Sequence, residues 1–99
     1  MSDVFDALAH PVRREILKLL RDGPLSAGQL AEQFNLAKPT LSGHFTVLKN
    51  AGLITAERRG TTILYRLNMS VMEEAVAALM SLTDKKEGGK VWKFVHRSS

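Results

Sequence analysis

Residues 25–54, LSAGQLAEQFNLAKPTLSGHFTVLKNAGLI, constrain this chain more than any other stretch, because they read as a short helix, a tight turn and a second helix. Ser26 is a good N-cap, and Gln29 three residues later completes a capping-box pattern. Leu30, Ala31 and Phe34 then face inward, Asn35 is placed to end the helix in a left-handed conformation, and Leu36 closes the turn. Ala37-Lys38-Pro39-Thr40 opens the next helix, where a proline in the first turn costs no hydrogen bond. Ala51-Gly52 ends it with a glycine cap. On this second helix Leu41, Phe45 and Leu48 fall on one face at i, i+4, i+7, with Val47 beside them. Thr40, Ser42, Gly43, Thr46, Lys49 and Asn50 occupy the opposite surface. Such a helix is anchored by one side and slim and polar on the other.

The flanks supply a frame. Residues 3–9 form a short amphipathic helix carrying Val4, Phe5, Leu8 and Ala9. Pro11 starts a second helix running to about Asp22, with Val12, Ile16, Leu17, Leu19 and Leu20 as its apolar face and Gly23-Pro24 as its stop. After the helix pair, Leu53–Arg59 and Thr62–Asn68 read as two strands joined at Gly60-Thr61. Ser70 is expected to cap a last helix, with Glu73 completing a second capping box. Val71, Met72, Ala75, Val76, Leu79, Met80 and Leu82 give that helix an apolar stripe too wide for one small domain to cover. Residues 1–83 are therefore one domain; residues 84–99 read as a linker followed by a basic-aromatic tail.

Charge points to a polyanion. Residues 10–68 hold nine Lys/Arg against four Asp/Glu, a surplus of five that exceeds the net +4 of the whole chain. There is no cysteine, which excludes disulfides and thiolate metal sites and fits a reducing, cytoplasmic setting. No apolar run approaches the ~18 residues of a membrane span, so membrane insertion is not expected. Nor is an enzyme: no nucleophile–base pair, phosphate-binding glycine loop or metal cluster appears, and His10, His44 and His96 lie far apart in sequence.

A helix of this kind suits the DNA major groove. Ser42 and Thr46 can donate or accept, and so suit phosphates and base edges alike. Gly43 costs about 1 kcal/mol of helix propensity, which close approach either to DNA or to a neighbouring helix would explain. Lys38 reaches a phosphate or a guanine edge, or is simply solvated; Pro39 and Thr40 share its turn. His44 borders the apolar face, where it either packs or touches DNA. The helix start at Ser26 and Gln29 is a candidate backbone contact. Arg58 and Arg59, beside Gly60, Thr61 and Thr62, suit phosphate or minor-groove binding, with protection of a strand edge as the alternative.

Taken together, HPVRREILKLL at 10–20, the 25–54 stretch and ERRGTTILYRLN at 57–68 resemble the ArsR/SmtB family of winged helix-turn-helix repressors, closest to its metal-independent SdpR-like autorepressor branch. The resemblance covers about residues 3–82. It implies a mainly α fold with a β-hairpin wing (α+β), in the order helix-helix-helix-helix-strand-strand-helix. It implies a homodimer built on the first and last helices, through Val4, Phe5, Leu8, Val71, Met72, Ala75, Val76, Leu79 and Met80, bound to a palindromic double-stranded operator. Metal-sensing members carry a Cys-x-Cys pair where this chain has SAGQLAEQF, and others place histidine and acid ligands on a last helix that here has no histidine. Neither metal nor cofactor is therefore expected. Release from DNA would fall to an unidentified protein, to a small molecule, or to nothing beyond protein concentration. A winged-helix module for protein or RNA is the alternative reading.

Overall fold

A computed structural model describes residues 3–83; the tail expected over 84–99 lies outside them. The chain runs through α1 (Val4–Leu8), α2 (Pro11–Leu20), β1 (Leu25–Ser26), α3 (Ala27–Ala31), α4 (Lys38–Asn50), β2 (Ile54–Arg59), β3 (Thr62–Leu67) and α5 (Met69–Ser81). This is the winged helix-turn-helix arrangement, with one addition. β1 was not foreseen: its two residues pair antiparallel with β3, Leu25 opposite Tyr65 and Ser26 opposite Leu64, to give a sheet ordered β1-β3-β2. Two residues are too few to show an alternating pattern in sequence.

Local chemistry sets most of the boundaries. The Asp3 carboxylate accepts from Phe5 N–H at 2.9 Å and starts α1. α2 begins at Pro11 and is capped by His10, whose Nδ1 accepts from Val12 N–H at 3.1 Å. The capping box of α3 is closed both ways: Gln29 N–H donates to Ser26 Oγ at 3.0 Å, and Ser26 N–H donates to Gln29 Oε1 at 2.9 Å. α4 ends in a complete Schellman motif. Gly52 at φ +80 donates to Lys49 O, and Leu53 donates back to Leu48 O at 3.0 Å. Leu48 and Leu53, the two ends of that wrap, are both fully buried, so the turn is fastened by burial as well as by hydrogen bonds. At the hairpin tip Gly60 has φ +62 while Thr61 does not have positive φ, the sign pattern of a type II′ turn.

Two expected caps are corrected. Asn35 is not left-handed, since no described residue other than glycine has positive φ. α3 stops at Ala31, and its last two carbonyls are taken by tightening turns, Gln33 N–H to Leu30 O and Phe34 N–H to Ala31 O, in place of an αL cap. Nor does Ser70 cap α5. Asn68 does so, its side chain accepting from Val71 N–H at 3.5 Å and its backbone carbonyl accepting from Met72 N–H. The chain leaves β3 already extended at Asn68, so the helix starts earlier and Ser70 falls inside its first turn.

The core lies under the helix pair. Ile16, Leu17 and Leu20 of α2, Leu30 of α3, and Leu41, Phe45 and Leu48 of α4 close over Ile54 and Tyr65 of the sheet. Phe45 and Tyr65 stack with ring centroids 4.6 Å apart, and the burial raises the Tyr65 hydroxyl above its ordinary pKa. α5 stands apart: it buries only Ala75, while Val76 and Leu79 remain nearly half exposed.

Candidate nucleic-acid interface

α4 divides as its sequence pattern predicts. Leu41, Phe45 and Leu48 are buried, while Lys38, Pro39, Thr40, Ser42, Gly43, Thr46, Lys49 and Asn50 are exposed. At 100° per residue, Ser42, Gly43, Thr46, Lys49 and Asn50 share one arc, and Thr40 lies about 120° round from Thr46, on the flank beside Val47. The Thr46 hydroxyl donates to Ser42 O at 3.1 Å, leaving its oxygen free to accept. A Cβ built on Gly43 would meet no atom within 4 Å. Among the described residues no neighbouring helix therefore needs a glycine here, which favours the other explanation, close approach to DNA. The start of α4 has no side-chain cap and no acid in its first turn, so its leading N–H groups stay open beside Lys38.

His44 does not share the arc. It sits about 160° round from Thr46, half-buried, with its ring centroid 4.5 Å from that of His10 and its Nδ1 3.2 Å from Arg13 Nη1. Burial first, then His10 and Arg13, hold its pKa below the ordinary 6.5. The structure thus brings together two histidines that sequence separation kept apart. Arg13 is the residue that sequence reasoning missed. Besides His44 it reaches the Ala7 carbonyl through Nε at 2.8 Å and the Asp6 carbonyl through Nη2 at 3.0 Å.

The wing stands beside this surface. Arg58, Arg59, Gly60, Thr61 and Thr62 are all exposed at its tip, where Arg59 pairs with Thr62 across the hairpin. Glu57 holds Arg59 at 3.1 Å and Arg66 at 3.9 Å. These are solvent-exposed pairs of small net value, readily exchanged for a phosphate. Arg58 makes no ion pair among the described residues. Ser26 and Gln29 are committed to each other in the capping box.

The expected pairing residues divide between core and surface. Val4, Leu8, Val71 and Met72 pack against the chain's own core, Met80 is half-buried, and Ala75 is buried. Phe5 on α1 and Val76 and Leu79 on α5 are 43 to 49% exposed, and Leu82, just past the end of α5, is 79% exposed. Among the described residues these apolar side chains of α1 and α5 have no covering partner.

A winged helix with a small polar arc and a basic hairpin has known counterparts. Residues 10–56 match the model of the bacterial regulatory proteins of the arsR family. The transcriptional repressor SdpR of Bacillus subtilis is 40% identical over 86% of this chain and 94% of its own length. The chain belongs to the arsR family. Its members are regulatory proteins rather than enzymes. The biofilm growth-associated repressor of Xylella fastidiosa is 32% identical over 83% of the chain and 72% of its own length. The crystal structure of a possible transcriptional regulator for arsenical resistance superposes with a TM-score of 0.79 at 29% identity, over 87% of this chain and 90% of that one.

Proposed function

We propose that this arsR-family protein is a DNA-binding transcriptional repressor that acts as a homodimer on a palindromic operator. The observation that carries the reading is the exposed arc Ser42-Gly43-Thr46 on α4, flanked by Lys38 and Lys49, where a Cβ at Gly43 would meet no other described residue within 4 Å. In the major groove Ser42 and Thr46 address base edges, and Gly43 lets the backbone come close. Lys38, the open N–H groups at the start of α4, and Arg58 and Arg59 on the wing hold phosphates. Two copies joined through the apolar faces of α1 and α5 set their α4 helices about 34 Å apart, one turn of DNA. Repression follows by occlusion of the promoter, the protein's own promoter included. The absence of cysteine from the sequence supports a repressor without a thiolate metal switch.

Selection of bound duplexes from random DNA, followed by footprinting upstream of the protein's own gene, tests this reading. A symmetric site with half-sites one turn apart is expected. Recovery of unrelated duplexes with no shared sequence would overturn the operator and leave only general polyanion binding.

A further inference from the structure

We propose that Arg13 is a positioning residue for DNA reading, tying the end of α1 to α4 through a His44 that must be neutral. The inference rests on α4 being the helix that reads DNA. A guanidinium has only donors. Arg13 directs Nε to Ala7 O at 2.8 Å and Nη2 to Asp6 O at 3.0 Å, both in the last turn of α1, and Nη1 towards His44 Nδ1 at 3.2 Å. His44 Nδ1 must then accept, so its proton sits on Nε2. One planar fork thereby joins α1, α2 and α4. α1 belongs to the face through which copies are to pair, so the fork fixes where α4 stands relative to that face, and hence the spacing of two α4 helices in a dimer.

Protonation of His44 would set N–H against N–H and a second positive charge beside Arg13. Little opposes that repulsion. From the α1–α2 junction His44 faces His10, whose Nδ1 is occupied by Val12 N–H. From α1, Asp6 offers its backbone carbonyl, and among the described residues its carboxylate pairs with neither Arg13 nor His44. Lys38 and Lys49 are the charged residues of α4 itself, on its exposed surface.

The test uses the full chain and two duplexes, the selected operator and a scrambled sequence of equal composition. Operator affinity of the wild type should fall at least threefold, roughly, between about pH 7.5 and about pH 5.5 as His44 charges, while affinity for the scrambled duplex should not fall. His44→Asn and Arg13→Gln should each flatten that profile and reduce operator preference. Arg13→Lys, which keeps the charge but not the fork, should behave as Arg13→Gln does. Operator affinity that rises on acidification would assign His44 to a phosphate and overturn the proposal, as would Arg13→Lys matching the wild type. An NMR titration of His44 in the DNA-free protein gives a separate reading: its midpoint should rise in Arg13→Gln, and an unchanged midpoint overturns the tie. A wild type that prefers neither duplex at any pH overturns the role in DNA reading, while the NMR arm still decides whether Arg13 holds His44.

Discussion

At Gly43 the demands of the fold and of DNA pull in opposite directions. Its added Cβ would meet nothing within 4 Å, so Gly43→Ala should strengthen α4 by roughly 0.8–1 kcal/mol and raise the melting temperature by several degrees. The same methyl group should lower operator affinity, because it stands on the arc meant for the groove. Thermal melts and binding isotherms on one preparation check both halves, and unchanged affinity would remove Gly43 from the interface. His44 supplies a second expectation at this scale, independent of DNA. Its folded-state pKa lies below the ordinary 6.5, so the unfolded chain binds a proton that the folded chain resists. Its contribution to stability is therefore complete above about pH 6.5 and declines as pH falls through the lowered value. Denaturant midpoints across that window should fall for the wild type and fall less for His44→Gln. Gly43 was legible as an anomaly in the sequence because a helix-breaking residue inside a helical pattern is a local signal. The Arg13–His44 contact was not legible, because it joins residues 31 positions apart and neither carries a local signature.

The elements were legible where a boundary depends on one residue's backbone freedom. Gly52 and Gly60 both adopt the positive φ their positions in the pattern suggest. Gly52→Ala should cost about 1–2 kcal/mol, because the Schellman turn holds φ +80 where an alanine is strained; chemical denaturation measures it. Boundaries went astray where competing partners were equally plausible in one dimension. Ser70 with Glu73 is as good a capping box on paper as Asn68 is a cap, and only the end of β3 at Leu67 decides between them. β1 forms because the turn before α3 brings Leu25 against Tyr65, a pairing that sequence spacing does not reveal. The wing carries its own expectation. In Arg58→Ala/Arg59→Ala, two phosphate-neutralising charges are lost, so the slope of log affinity against log salt should flatten by about 2, with similar losses on operator and non-operator DNA. A slope equal to that of the wild type would assign these arginines to the strand edge alone.

For the whole molecule, the deciding surface is the apolar one that the described residues leave uncovered. α5 spends thirteen residues to bury one alanine and leaves Val76, Leu79 and, just past its end, Leu82 exposed, while Phe5 is exposed on α1. A small domain with a thin core gains most from covering such a face with its own copy, since the same patch then buries itself twice. If the face is the dimer interface, Val76→Asp/Leu79→Asp should yield a folded monomer in sedimentation at concentrations where the wild type is a dimer. Both side chains are nearly half exposed in the single chain, so the substitution should spare its core. DNA binding then separates two effects. Each α4 keeps its reading arc, so binding to an isolated half-site should change little. Binding to the full palindrome should fall by about 10²- to 10⁴-fold, because the second half-site is no longer engaged at the high effective concentration that linkage provides. Equal losses on half-site and palindrome would instead mean that the substitutions disturb the domain. A monomer that keeps full palindrome affinity would mean that symmetry of the operator plays no part in recognition.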